Sequence, residues 1–199
     1  MQKRWTLPVA FAILLYCAPS NAQDRGRLGL TVAYPASVGL LWPVSKTVAL
    51  RPEVSGSLRS SETKQTSESG EVSPYGSGDS RALAVGLSGL FYVREWEALR
   101  AYLAPRFAYS RSITTSVASN LTRESESVTS DYLVAGSFGL QYSLGRRFTI
   151  FAEVGVGYDR VNSSTRAYLP GTGVTVGSVT DATSWTIGPK SGIGAIFHF

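Results

Sequence analysis

Along most of this chain, apolar and polar residues alternate with a period of two. From Leu28 to Val44 the even positions are Leu28, Leu30, Val32, Tyr34, Ala36, Val38, Leu40, Trp42 and Val44. The odd positions are mostly small: Gly29, Thr31, Ala33, Ser37 and Gly39. A helix would repeat at spacings of three and four, so the pattern predicts strands. Six further segments alternate in the same way, along Val48–Leu58, Leu83–Val93, Leu99–Tyr109, Tyr132–Leu144, Phe148–Tyr158 and Trp185–Phe199. Each reaches the roughly 9–11 residues with which a tilted strand crosses a bilayer.

The connections alternate in length. Short ones fall at Ser45-Lys46, Arg94 to Ala98 and Gly145 to Arg147, and long polar ones at Thr63 to Asp79, Ser116 to Ser130 and Thr165 to Ala182. Short turns at one end and long loops at the other are the asymmetry of a transmembrane β-barrel of the outer-membrane type. The apolar face carries aromatic residues near strand ends. Trp42, Phe91, Tyr142, Phe148, Phe197 and Phe199 lie near the short turns or the C-terminus, and Tyr109, Tyr132, Tyr158 and Trp185 near the long loops. Two aromatic levels around an aliphatic band match the interfacial girdles of such barrels and put the apolar face outside. Tyr34 and Phe138 break the pattern. The other face combines small residues with a few full charges, as a narrow barrel interior requires.

Composition agrees. Charged residues are 17% of the chain, against roughly 25% for an average soluble domain, and glycine supplies 20 of 199 positions. The formal net charge of +5 is spread without a Lys/Arg block, which argues against nucleic-acid binding. Residues 1–22 read as a secretory signal peptide: Lys3 and Arg4, then an apolar run from Trp5 to Cys17, then Ser20-Asn21-Ala22 before Gln23. The barrel domain is expected over 23–199. The single cysteine, Cys17, would leave with the signal.

The tail, Gly194-Ala195-Ile196-Phe197-His198-Phe199, resembles the C-terminal assembly signal of bacterial outer-membrane proteins. Gly194, Phe197 and Phe199 carry that resemblance, and Ile193 departs from it where a polar residue is usual. With the signal peptide and the size, the chain resembles the small OmpA-like outer-membrane β-barrel family over nearly its whole length. The resemblance implies an all-β, antiparallel up-and-down barrel in the outer membrane of a Gram-negative bacterium. It also implies insertion by the barrel-insertion machinery and contact with outer-membrane lipid. That family has eight strands, whereas seven segments are legible. Either a longer turn near Pro35 splits the first segment, or a strand lies within a loop such as Gly173 to Val179. Pro52, Pro105 and Pro189 fall inside strand patterns, where local bulges are expected.

Chemistry is sparse. One histidine, His198, and no cysteine beyond the signal leave no metal site or cofactor to expect. A serine nucleophile served by His198 is disfavoured, because His198 falls at the short-turn end. No enzyme activity is expected. Five charges have inward parity: Arg51, Glu53, Arg106, Glu153 and Lys190. One reading makes them a paired interior layer that closes the barrel. The other lines a small channel with them. A non-enzymatic surface protein with polar loops and a small porin-like channel are therefore the two functions the sequence admits.

Overall fold

In the computed structural model, eight strands pair in chain order, each antiparallel to its neighbours, and the last returns to the first. The structure describes residues 27–34, 37–66, 72–118, 123–168 and 179–199. The strands are β1 (Gly29–Tyr34), β2 (Ser37–Pro43), β3 (Val48–Thr66), β4 (Val72–Glu95), β5 (Leu99–Ala118), β6 (Arg123–Ser143), β7 (Phe148–Tyr168) and β8 (Thr180–His198). The segment 1–22, read as a signal peptide, lies outside the described residues.

The missing strand comes from the first segment. Leu30 pairs with Leu40 and Val32 with Val38, and three residues separate the last pair, Ala33 and Ser37. An odd number of intervening residues keeps even positions facing even positions. The alternation therefore runs unbroken through a reversal of direction, which is why one long strand and two short ones look alike in sequence. Most of the other suggested location, residues 173–178, lies outside the described residues.

The long polar connections are largely strand. The ladder between β3 and β4 continues to Thr66 and Val72, and that between β5 and β6 to Ala118 and Arg123. Thr carries strand propensity without needing an apolar face, and cross-strand Ser and Thr hydroxyl pairs such as Thr114 with Ser80 and Thr165 with Ser127 tie neighbouring strands beyond the apolar band. No register shift occurs at Pro52, Pro105 or Pro189, contrary to the expected bulges. The β2–β3 ladder instead skips the pairs opposite Pro52 and Arg51, and the β4–β5 ladder skips those opposite Pro105 and Ala104. Pro189 lies on a stretch of β8 that is paired on one side only. Each proline thus sits where a ladder hydrogen bond is not required.

The outward face is apolar and exposed, from Leu30 and Val32 through Val54, Val85, Leu103, Val134, Val154 and Val156 to Ile193. Tyr109 and Tyr132 meet across β5 and β6 with ring centroids 5.1 Å apart and planes tilted by 49°, and Phe148 pairs with Phe197 at the other end. The inward face is less sparse than its small residues suggest. Leu41, Ala49, Leu90, Tyr102, Ala104, Phe151 and Ile196 form a buried layer inside the barrel. Two glycines make room for it. A Cβ on Gly139 would overlap the Tyr102 ring, and one on Gly194 would come within 2.6 Å of the Phe151 ring.

The wall is not of even height. β1 and β2 have 6 and 7 residues, whereas β3 and β8 have 19 each. β1 covers β8 only up to Ile193, and β2 covers β3 only up to Val54. Beyond those points no described strand pairs with the outer edges of β3 and β8. Among the described residues this leaves a lateral notch about 14 Å wide, three strand spacings of roughly 4.8 Å.

Candidate functional site: the charged layer and the two cavities it separates

Arg51 is the centre of the interior and is 2% exposed. Its guanidinium spans the lumen from β3 to Glu153 on β7. Nη2 donates to Glu153 Oε2 at 3.0 Å, and Nη1 lies 2.7 Å from Oε1. Glu153 Oε1 also accepts a hydrogen bond from the Tyr102 hydroxyl at 2.7 Å. On the other side, Arg51 Nε is 2.6 Å from Glu53 Oε1, and Glu53 Oε2 is 2.8 Å from Arg106 Nη2. These last contacts, like that of Nη1, are ion pairs without aligned hydrogen-bond geometry. The guanidinium also lies over the Phe151 ring, 4.9 Å from its centroid. Burying an arginine costs several kcal/mol unless partners compensate, and here two carboxylates and an aromatic face do so.

Four of the five inward charges therefore form one chain, Arg106–Glu53–Arg51–Glu153, which ends on Tyr102. Lys190 stands apart, one step toward the long connections. Its Nζ donates to Asp159 Oδ2 at 2.7 Å. Asp159 has inward parity on β7 but follows Tyr158 at the edge of the apolar band, so sequence reasoning missed it. Tyr102 was missed because it stands between Ala101 and Leu103, so polarity does not mark it as inward.

The layer separates two cavities. Toward the long connections lies one of about 250 Å³, lined by Arg51, Glu53, Arg106, Glu153 and Lys190 with Tyr34 and Ser37 at the β1–β2 tip. Ser55 on β3 and Ser191 on β8, both at the edges of the notch, also line it. Toward the short turns lies a vestibule of about 440 Å³. Gln141 and Tyr92 form its inner end, where the Tyr92 hydroxyl donates to Gln141 Oε1 at 3.1 Å. His198 also lines the vestibule, with Nε2 3.2 Å from Thr149 Oγ1. No carboxylate bonds this imidazole, and no group of three potential metal ligands occurs, among the described residues.

The remaining sequence-predicted residues lie on the outside or at the C-terminal seam. Phe91, Tyr132, Tyr142, Phe148, Tyr158, Trp185 and Phe197 are exposed outward, and Trp42 and Tyr109 half-buried. The tail closes the barrel: Gly194 pairs with Ala33 and Phe197 with Leu30, and Phe199 N donates to Leu28 O at 3.1 Å.

No protein-family model matches the chain, and no curated protein does. Solved structures do. A major outer membrane protein from Thermus thermophilus is similar at 10% identity with a TM-score of 0.56, covering 87% of this chain and 99% of that one. Acinetobacter baumannii CarO is similar at 14% identity with a TM-score of 0.40, covering 90% of this chain and all of that one. At 10% identity the likeness to the Thermus protein is one of fold. The fold is an eight-stranded, antiparallel barrel of outer-membrane type, and its exposed apolar belt is that of a protein seated in the outer membrane.

Proposed function

We propose that this is a non-enzymatic, OmpA-like outer-membrane protein whose long-strand end faces outward, for envelope integrity or surface interaction. On this reading residues 1–22 are removed on export, the short turns face the periplasm, and Phe199 is read by the barrel-insertion machinery. The observation that carries it is the buried layer from Arg51 to Tyr102. An eight-stranded barrel has an interior just wide enough for side chains, and this one fills it with cross-lumen ion pairs and apolar packing. The polar upper ladders, rich in Ser, Thr and charge, are surfaces for contact rather than a lined pocket for chemistry.

A small channel is the second reading. It is favoured by the two cavities, which approach the layer from opposite ends and leave only its thickness between them. Single-channel recording on the refolded protein separates the two. A closed barrel gives no steady conductance. Steady conductance with an ion preference altered by Glu153→Gln would establish the channel instead.

A further inference from the structure

The vestibule at the short-turn end has a charge pattern that the proposed function does not use. Arg27, Lys46, Arg100 and Arg146 line it, against Glu95 and Glu97. Arg100 is already committed: its Nε donates to Glu95 Oε1 at 2.7 Å, and its guanidinium lies over Tyr92. Among the described residues, that leaves Arg27, Lys46 and Arg146 facing one further acid, Glu97. At the inner end, Gln141 is 4% exposed. Its Oε1 is taken by Tyr92, while its Nε2, which carries two donor hydrogens, has no partner among the described residues. Leaving a buried donor without a partner is costly, so its position at the end of a cationic cavity calls for an acceptor.

We propose that the vestibule is an anion-binding site that takes a phosphate group. Gln141 Nε2 would donate to one phosphate oxygen, and Lys46 and Arg146 would supply charge at the mouth. Three features favour this chemistry: excess positive charge, an amide donor at depth, and room for a group larger than a single ion. Charge-assisted hydrogen bonds to phosphate are among the stronger polar contacts in proteins. The phosphate could be free in solution, or it could belong to the headgroup of an anionic lipid in the leaflet beside the short turns.

The test uses the refolded full barrel with the Gln141 side-chain amide followed by ¹⁵N-resolved NMR, assigned with Gln141→Leu. In zwitterionic micelles, inorganic phosphate should produce a saturable shift of that amide, whereas chloride at matched ionic strength should not. In nanodiscs without added phosphate, phosphatidylglycerol in place of phosphatidylcholine should produce the shift if the lipid is the source. Either result supports the site, and the arm that responds names the source. The double variant Lys46→Ala/Arg146→Ala should weaken the response at least tenfold while leaving the backbone spectrum of the barrel intact. No response in either arm, or a response of equal strength in the double variant, overturns the proposal.

Discussion

Arg51 Nη1 and Nη2 meet the two oxygens of Glu153, at 2.7 and 3.0 Å, from opposite sides of the barrel. The two residues are 102 positions apart and lie on strands that are not neighbours. The contact therefore ties the wall to itself across the lumen, where no ladder hydrogen bond can reach. A guanidinium offers the planar fork that two carboxylate oxygens match, and a lysine in its place would keep the charge but lose the fork.

Removing the acid should be costly. Glu153→Ala leaves Arg51 buried with half its compensation and frees the Tyr102 hydroxyl. The expected loss is about 3–5 kcal/mol, the usual cost of breaking a buried pair. Urea unfolding in lipid vesicles, followed by tryptophan fluorescence, measures it. Asp181 is exposed on β8. Asp181→Ala should change stability by about 0–1 kcal/mol, and an equal loss in both variants would show that the layer is not a stabilising tie.

Gly139 lies against the face of Tyr102, with no room for a Cβ. Gly139→Ala should push the ring away, lengthen its hydrogen bond to Glu153 and cost about 1–3 kcal/mol by overpacking. Gly136, on the same strand, has nothing within 4 Å of a built Cβ. Gly136→Ala should leave the urea midpoint unchanged or raise it slightly. Equal effects at the two positions would mean that strand propensity, not the Tyr102 contact, sets the cost.

The strand pattern was legible because a bilayer imposes it: one face must meet lipid and the other must not. The eighth strand was hidden by the parity of the β1–β2 turn, which leaves no mark on the alternation. The charged layer was legible in part. Arg51, Glu53, Arg106 and Glu153 stand out as full charges among small residues, but sequence parity gives a face, not a height or a partner. Lys190 was therefore grouped with them, although its partner is Asp159. The apolar half of the layer was not legible, because Tyr102, Leu90 and Phe151 alternate with outward residues that are equally apolar. Neither was the notch, which depends on how far each strand is paired rather than on how far each pattern runs.

Phe199 closes the seam between β8 and β1 through its amide, which donates to Leu28 O. Its ring remains exposed. Deleting Phe199 should remove one seam hydrogen bond and, on the proposed role, the mark read during insertion. Folded, heat-modifiable protein in cells should fall several-fold while refolding in vitro changes little. A parallel drop in both would assign the residue to the seam alone.

Val154 is 61% exposed on the outer face, and Gly155 beside it points inward. Val154→Arg should cost about 2–4 kcal/mol if it lies at the bilayer midplane. Cysteine placed at 154 should react with a lipid-soluble label. The inward control is a cysteine in place of Ser137, which lines the inner cavity, because any side chain at 155 would meet the backbone of Gly136. Labelling at 137 but not at 154 would invert the barrel and return it to a soluble type.

The last prediction concerns the notch. Above Val54 and Ile193, β3 and β8 are each paired on one side only. In a strand, successive amides point to opposite edges, so about every second N–H from Ser55 to Ser61 and from Ser184 to Ser191 faces the gap. In hydrocarbon an unsatisfied backbone group costs several kcal/mol, and open edges are not tolerated there. The gap must therefore be wet, and the cavity that Arg106 and Lys190 line together with Ser55 and Ser191 at its edges offers the route for water. Hydrogen exchange on the barrel in nanodiscs should then alternate along these two stretches, fast at one amide and slow at the next. Leu133 to Gln141 on β6, paired on both sides, should be slow throughout. Pro189 donates nothing and leaves a blank in the series. Uniformly slow exchange along both edges would mean that the gap is filled, by another segment of this chain or by a second copy adding a strand.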